Sequence, residues 1–251
     1  MTDLKFLIIL MYMDRPNIVK NALLSIKNLT YDNWELAFID DSSKIPGEPV
    51  VREMLADKLD KIKFFRLNDT IEEKYANGGA RFGMCMNRAI DESDADIVIT
   101  LCDDDALVSD YLEKLNEFFN SNPDEVWAYC HVIEYNPEVE LAGPHLHESR
   151  MIKNSWYNRD KNKIMPACQI DSSQVVFRKK IFVEGTDPIR WPHPYTSCLD
   201  AYVFDKTQHK YGSCPWAQCY GQYKGLFPDQ LGKRKEADFF TPKDRPDDPT
   251  L

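Results

Sequence analysis

The sequence predicts an α/β fold with a mostly parallel sheet flanked by helices. Two continuous apolar segments, residues 5–11 and 34–39, are typical of strands covered on both faces, as in a parallel sheet. Apolar residues at helical spacing lie between them, and a helix that joins two strands indicates a parallel crossover. The 251 residues are enough for one substantial core, so a single domain is expected.

Strand and helix alternate through the first half of the chain. The first helix is predicted between residues 14–17 and 30–33, because apolar residues recur there every three or four positions. The next predicted elements are a helix at 49–59, a strand at 61–67, a helix at 80–90, a strand at 97–101 and a helix at 111–120. Acidic residues follow two of the strands directly: Asp40 with Asp41, and the run Asp103, Asp104 and Asp105. Ligands of open α/β sheets bind at the carboxyl ends of strands, so both clusters are predicted to face one crevice.

The second half is predicted to be irregular. Prolines recur after about residue 136 among aromatic and basic residues, and long loops over a scaffold usually carry binding. Two ordered elements stand out, a strand at 173–178 and a helix at 199–209 that begins near Asp200. The tail, residues 241–251, is rich in proline and acidic residues and is predicted to be mobile.

Composition narrows the classes of function. The formal net charge of -10 disfavours binding to the nucleic acid backbone, although a local basic groove is compatible with it. No apolar stretch reaches the roughly 18 to 20 residues that span a bilayer, and the amino terminus lacks the features of a signal peptide, so we expect a cytoplasmic protein. The seven cysteines are scattered without paired metal-site spacing, which predicts reduced thiols.

The acidic run is the strongest chemical signal. Three consecutive carboxylates at the end of a buried strand repel one another unless a cation or water compensates them. Hard divalent cations such as Mg²⁺ and Mn²⁺ prefer oxygen ligands, so Asp103, Asp104 and Asp105 predict a metal site. A solvated loop that caps the next helix is the alternative interpretation.

The order of these features resembles family 2 glycosyltransferases of the GT-A fold, whose sheet is Rossmann-like. That family has a Tyr-Asn-Arg-Pro-like loop after the first strand and an Asp-Asp-Gly-Ser turn after the second; here Asp14 and Ser42 replace the usual Asn and Gly. Four stretches carry the resemblance: Leu7 to Pro16 with Ile39-Asp-Asp-Ser-Ser, Asn77-Gly-Gly through Ala89, Leu101-Cys-Asp-Asp-Asp, and Ser172 to Lys179 with Cys198-Leu-Asp200. Two positions depart from the family: Cys102, where many members have the first motif aspartate, and Leu199, which replaces a common glutamate.

The resemblance implies an inverting, metal-dependent transfer of a sugar from a nucleoside diphosphate donor to an acceptor hydroxyl. Asp200 would be the general base, or alternatively the cap of its helix. Asp103 and Asp105 are the favoured ligands of Mn²⁺ or Mg²⁺, although any two of the run fit. Asp41 is similar to the family aspartate that accepts a hydrogen bond from a uracil imide, which favours UDP; a turn or cap is its alternative. The residues expected to contact the donor are Tyr12, Asp14, Arg15, Asp40, Asp41, Asn77, Gly79, Arg81, Asp103 and Asp104.

The resemblance also divides the chain and leaves the acceptor open. We expect one domain at 1–240, with a nucleotide-sugar half at about 1–105 and an acceptor half at about 106–240. Aromatic residues of the second half could stack on an acceptor, or could simply pack in the core: Trp191, His193 and Tyr195. A glycan or lipid-linked glycan is the expected acceptor; a hydroxylated DNA base is compatible but is disfavoured by the net charge.

Two other classes of protein remain as alternatives. A nucleotidyltransferase of sugar phosphates usually has a glycine-rich loop after its first strand, and residues 11–17 contain no glycine. A non-catalytic nucleotide-sugar-binding module would keep the fold without turnover, and the departures at Cys102 and Leu199 are its support.

Overall fold

The computed structural model describes residues 2–68, 70, 82–134, 145–146, 174–192, 199–212 and 214–224. The predicted mobile tail, residues 241–251, lies outside these ranges. The strands are β1 (Phe6–Tyr12), β2 (Trp34–Asp41), β3 (Ile62–Leu67), β4 (Ile97–Cys102), β5 (Ala106–Leu107), β6 (Trp127–Glu134), β7 (His145–Leu146), β8 (Val175–Arg178) and β9 (Trp216–Lys224). The helices are α1 (Val19–Lys27), α2 (Glu48–Met54), α3 (Phe82–Asp91), α4 (Tyr111–Ser121), α5 (Lys180–Val183) and α6 (Leu199–Tyr211), with a 3-10 helix at Ala56–Lys61.

The strands of the described residues form one sheet in the order β3-β2-β1-β4-β8-β6-β9-β5, with β7 beside β6. The four strands β3, β2, β1 and β4 are parallel to one another. Strand β8 runs antiparallel to both of its neighbours, β4 and β6, whereas β6 and β9 are parallel. The predicted α/β fold is therefore confirmed, and its block of four parallel strands lies in the first half of the chain.

Helices cover both faces of the sheet, which explains why β1 is apolar throughout. Alternate residues of a strand point to opposite faces. Phe6, Ile8 and Leu10 pack in one buried cluster with residues of α1 and α4, and Leu7 and Ile9 pack in a second cluster with residues of α3, α5 and α6. In the described part of the chain, no helix has both the length and the apolar character needed to cross a membrane.

The register of the parallel strands sets the position of the site. Tyr12 of β1 is paired with Asp40 of β2, and Met11 of β1 is paired with Cys102 of β4. The carboxyl ends of three adjacent strands therefore lie side by side. The two acidic clusters that follow β2 and β4 are brought to one edge of the sheet, as the sequence predicts.

Candidate active site

The acidic run after β4 is held from one side by Arg15. Both Asp103 oxygens accept from the guanidinium, and Nε lies 3.1 Å from Oδ2. The same Oδ2 also accepts from the backbone N–H of Met13 at 3.2 Å, and Nη1 of Arg15 donates to Asp104 Oδ2 at 3.0 Å. The loop after β1 is therefore tied to the loop after β4 by charge-assisted hydrogen bonds.

Burial and the contacts of Asp103 act in opposite directions on its protonation. The Asp103 side chain is almost fully buried, and this burial raises the pKa of its carboxyl group. The Met13 N–H and the positive charge of Arg15 lower that pKa, but burial is the larger effect. The Asp103 carboxyl group is therefore harder to ionise than that of an exposed aspartate, and the positive charge of Arg15 favours its ionised form.

Three side chains at the end of β4 are spaced as ligands of a single cation. One ligand atom each from Cys102, Asp104 and Asp105 lies within 4.8 Å of the other two. Asp105 is 1 % exposed, and its backbone N–H donates to the carbonyl of Cys102 at 3.2 Å, which closes the turn. Two carboxylates and a thiol fit a divalent transition metal. The group contains Asp105 of the predicted pair, whereas Asp103 lies on the Arg15 side, so the predicted pair of ligands stays a prediction.

The adjacent carboxylates Asp40 and Asp41 point to opposite faces of β2. Asp40 Oδ1 accepts from the N–H of Ser43 at 2.9 Å, and Oδ2 accepts from Gly47 N–H at 3.1 Å and from Arg66 Nη1 at 3.0 Å. Asp40 therefore braces the loop after β2. Asp41 is 2 % exposed and follows Ile39 on the face that packs against α3.

The loops after β1 and β2 are locked together by polar contacts. The Asp14 N–H donates to Ser43 Oγ at 3.0 Å, and Asp14 Oδ1 accepts from the Ile45 N–H at 2.9 Å. The Tyr12 hydroxyl donates to the carbonyl of Ile45 at 2.8 Å. Burial, and to a smaller extent the negative charge of Asp40, raises the pKa of Tyr12 to about 12. Tyr12 and Asp14, predicted as donor contacts, thus shape the wall of the crevice.

The backbone at residues 14 and 42 adopts a conformation that favours the residues usual at these positions in the family that the sequence resembles. Asp14 has φ of 52° and Ser42 has φ of 56°, both in the left-handed region. Asparagine and glycine adopt this region most readily, which matches the Asn and Gly usual at these positions in the family that the sequence resembles. Aspartate also tolerates it, because its short side chain can bond to nearby backbone groups.

Several predicted site residues are not tested by the structure. Asn77, Gly79, Arg81, His193 and Tyr195 lie outside the described residues. Asp200 is in the first turn of α6, where the sequence predicts a helix start, but its side chain is outside the described part.

Trp191 is described, and its geometry supports the packing interpretation. Its side chain is 3 % exposed and its ring stacks on Phe182, with centroids 6.5 Å apart and an angle of 17° between the planes. Its backbone N–H and carbonyl bond to the side-chain amide of Asn87 at 3.0 and 2.9 Å. This burial fits the packing interpretation, and the acceptor contact of Trp191 stays a prediction.

Arg66 is a residue of the site that sequence reasoning missed. It lies directly opposite Asp40 in the register of β2 and β3, and it also donates to the carbonyl of Ser43 at 2.8 Å. The available signal was weak, because β3 contains two charged residues, Lys63 and Arg66, among apolar ones. The sequence does not reveal that Arg66 lies opposite Asp40, because this depends on the register of β2 and β3.

Comparisons with known proteins agree with this geometry. The sequence model of the family described as glycosyl transferase family 2 matches residues 7–185, more than half of the chain. Protein CgeD of Bacillus subtilis is 24% identical over 184 residues, which are 70% of this chain and 39% of that protein. The GalNAc(5)-diNAcBac-PP-undecaprenol beta-1,3-glucosyltransferase of Campylobacter jejuni is 28% identical over 149 residues, which are 59% of this chain and 45% of that protein. The chain thus spans less than half of the length of these two relatives.

Solved structures share the fold. TarS of S. aureus in complex with UDP matches with a TM-score of 0.65 and 13% identity, over 91% of this chain and 62% of that chain. The mannosyltransferase PcManGT of Pyrobaculum calidifontis, in complex with GDP-Man and Mn²⁺, matches with a TM-score of 0.61 and 11% identity, over 90% of this chain and 58% of that chain. At these identities the likeness shows the fold, and the predicted GT-A type architecture is confirmed.

Proposed function

Because this chain belongs to glycosyl transferase family 2, we propose that it moves a sugar from a nucleoside diphosphate donor to an acceptor hydroxyl, with inversion at the anomeric carbon. One observation carries the proposal. The Cys102, Asp104 and Asp105 group and the Asp41 carboxylate lie at the carboxyl ends of β4 and β2, the two parallel strands that flank β1 in one sheet. A crevice at this edge is where open α/β sheets bind nucleotides.

The end of β4 would hold the divalent cation, Mn²⁺ or Mg²⁺. The donor set of two carboxylates and a thiol supports this assignment. A bound cation supplies stabilisation of the negative charge that grows on the leaving nucleoside diphosphate. The Mn²⁺ in the complex of the mannosyltransferase neighbour is consistent with such a cofactor.

The donor half of the site would read the base and the phosphates with separate residues. Asp41 would accept a hydrogen bond from the imide N–H of uracil or thymine, since a buried carboxylate favours a base that offers a donor. Arg15 and Arg81 would contact the phosphates, because guanidinium groups pair well with anions. UDP is the donor nucleotide that we propose, and the UDP complex of TarS is consistent with it.

The acceptor half, about residues 106–240, would supply the general base. Asp200 would take the proton of the acceptor hydroxyl as its oxygen attacks the anomeric carbon, which inverts the configuration in a single displacement. A glycan or a lipid-linked glycan is the proposed acceptor, which the undecaprenol-linked substrate in the name of the Campylobacter relative supports. The net charge of -10 continues to disfavour a DNA acceptor.

Calorimetric titration of UDP with Mn²⁺, and again with a chelator, tests the proposal. We expect binding that requires Mn²⁺ and that falls at least tenfold in Asp105→Asn. Asp57→Asn is the matched control and should leave binding unchanged, because the 3-10 helix that contains it precedes the amino end of β3, at the edge of the sheet opposite these loops. Absence of binding by UDP, dTDP and GDP in the presence of metal would contradict the donor site. Metal-dependent binding without hydrolysis or transfer of any nucleotide sugar would favour the non-catalytic alternative.

A further inference from the structure

We propose that the Cys102 sulfur is a ligand of the catalytic cation, so that the site selects Mn²⁺ and softer divalent ions over Mg²⁺. This inference rests on the proposed function, because it concerns the cation of the same site. It adds a residue, and with it a metal preference, that the acidic run alone does not provide.

The spacing of the three groups is close to what one ion requires. Metal bonds of first-row transition ions are about 2.0–2.2 Å to oxygen and about 2.3 Å to sulfur, so two ligands of one ion are at most about 4.5 Å apart. The ligand atoms of Cys102, Asp104 and Asp105 lie within 4.8 Å of one another. Changes of side-chain torsion that shorten these separations can therefore bring all three groups onto one ion.

The backbone fixes where Cys102 stands. It is the last residue of β4 and is paired with Met11 of β1, so the sheet holds its Cα. The hydrogen bond from Asp105 N–H to its carbonyl bends the chain back over it. Cys102 is half-buried, in contrast to the buried Cys85, Cys130, Cys214 and Cys219.

The first aspartate of the run does not replace Cys102 in this group. The Asp103 oxygens are directed to the Met13 N–H and to the guanidinium of Arg15. An ion held by Cys102, Asp104 and Asp105 therefore meets two carboxylates and one sulfur. The Cys102 thiol, at the last position of β4, is the third ligand in place of a third carboxylate.

This donor set determines the expected preference among metals. Mg²⁺ demands near-ideal octahedral oxygen coordination and loses its water reluctantly, so sulfur is a poor ligand for it. Affinity at sites with nitrogen, oxygen and sulfur ligands rises from Mn²⁺ through Co²⁺, and thiolate favours the softer ions. Cys102 therefore penalises Mg²⁺ relative to Mn²⁺ and Co²⁺.

Co²⁺ is the probe that reports sulfur coordination directly. Titration of Co²⁺ into the whole protein with UDP present should give the near-ultraviolet absorption band of charge transfer from sulfur to Co²⁺. Cys102→Ser should lose the band. Cys85→Ser, which changes a buried cysteine of α3 on the same chain, should keep it.

A second variant tests the metal preference independently of the absorption band. Cys102→Asp converts the group to three carboxylates, and calorimetry should show the Mn²⁺ to Mg²⁺ affinity ratio falling by about tenfold relative to the native protein. An unchanged ratio would count against the proposal.

The outcomes separate this inference from the proposed function. Co²⁺ that binds with UDP but gives no sulfur band, or a band that Cys102→Ser retains, overturns the role of Cys102 and leaves the donor site intact. Failure of Co²⁺, Mn²⁺ and Mg²⁺ to bind in the presence of UDP, dTDP or GDP overturns both. A sulfur band that depends on Cys102 establishes the ligand.

Discussion

Arg15 and the proposed divalent cation compete for the same carboxylate, that of Asp104. The guanidinium bonds to Asp103 and Asp104, and Asp104 also belongs to the group that would bind metal. Without the donor, Arg15 supplies part of the positive charge that the acidic run requires. We infer that metal binding weakens the contact between Arg15 and Asp104 and leaves the guanidinium available to the donor phosphates.

Replacing Arg15 should therefore affect metal and donor binding in opposite directions. In Arg15→Gln, we expect Mn²⁺ alone to bind about threefold to fivefold more tightly, because a partly exposed ion pair is worth up to about 1 kcal/mol. UDP with saturating Mn²⁺ should bind more weakly, because a phosphate contact is lost. Calorimetry measures both, and Arg52→Gln, whose guanidinium pairs with Glu48 on α2, is the control with the same change of charge. Weaker Mn²⁺ binding in Arg15→Gln would show that Arg15 orders the ligands rather than competing for them.

The adjacent residues Asp40 and Asp41 should separate stability from donor binding. Asp40→Asn should lower the free energy of unfolding by about 1–3 kcal/mol, because a buried acceptor of three hydrogen bonds is weakened. Asp41→Asn should instead lower UDP affinity by about tenfold or more, as a hydrogen bond to a charged group is worth about 1.5–3 kcal/mol. Urea unfolding and calorimetry measure the two effects. Loss of UDP affinity in a fully folded Asp40→Asn protein, with Asp41→Asn unaffected, would reverse the two roles.

Site residues that directly follow a strand could be predicted from the sequence. Contacts that depend on strand register or on burial could not. Asp40, Asp41 and the acidic run could be placed because a parallel sheet brings strand ends to one edge. The contact between Arg66 and Asp40 requires knowing which residues of β2 and β3 are opposite each other. The burial of Trp191 depends on its packing against Phe182, which no local pattern reveals.

Helix α3 is fastened along its length to the segment that precedes α6. Near its start, a Cβ added to Gly83 would lie 2.5 Å from the carbonyl oxygen of Pro192. Asn87 bonds to the backbone of Trp191, and at its end Asp91 forms a two-bonded ion pair with Arg190, with both distances 2.7 Å. Helix α3 and this segment are thus in contact at three successive turns of the helix.

Gly83→Ala should loosen this attachment. Since the new methyl group meets a backbone carbonyl rather than a flexible side chain, α3 or the segment must shift, at a cost of about 1–3 kcal/mol in the free energy of unfolding. Met84→Ala, at the next position of the same helix and exposed, should change stability by less than about 0.5 kcal/mol. Chemical denaturation compares the two variants, and equal effects would mean that the close approach of Pro192 is relieved without cost.

The ion pair of Asp91 with Arg190 predicts a pH dependence of stability. The hydrogen bond from Arg190 lowers the pKa of Asp91 below its ordinary value of 3.8, and burial opposes this only in part. A carboxyl whose pKa is lower in the folded state stabilises fully above the unfolded value and loses this contribution as the pH falls through the folded value. Asp91→Asn should therefore be less stable at pH 7 by less than about 1 kcal/mol, because the pair is half-exposed, and the difference should shrink below about pH 4.

Unfolding by urea at several pH values measures this difference. Glu92→Gln, which removes an exposed partner of Arg88 at the next position, is the control and should change stability less at pH 7. A deficit of Asp91→Asn that stays constant down to pH 3 would show that shape, and not charge, is what the pair contributes.

At the scale of elements, the first half was more predictable than the second. The helix predicted at residues 49–59 forms as α2 and a separate 3-10 helix, because the backbone leaves the helical region at Leu55, with φ of -117°. Strands β6 and β9 were not predicted at all. Each pairs with strands far away in sequence, and the β6–β9 ladder contains register shifts that break a simple alternation.

The described strands of both halves belong to one sheet, although the two halves are proposed to have separate roles. Strand β8 bonds to β4 of the donor half and to β6 of the acceptor half, and β5, just after the acidic run, pairs with β9. Opening either half therefore exposes backbone hydrogen-bonding groups of the other. This continuity predicts that the two halves unfold together.

Ligand binding to the donor half should therefore stabilise the acceptor half by the same amount. Of the five tryptophans, only Trp34 precedes residue 106, so the fluorescence of Trp34→Phe reports on the acceptor half alone. UDP with Mn²⁺ at about 100 times the dissociation constant should add about 2.7 kcal/mol, or roughly 5–10 °C in Tm for a chain of this size. In Trp34→Phe, we expect this shift in the fluorescence transition and in the circular dichroism of the whole chain, and a chelator should abolish both. A shift in circular dichroism without one in fluorescence would mean that the donor half unfolds independently, and the proposed single domain at 1–240 would then divide near residue 105.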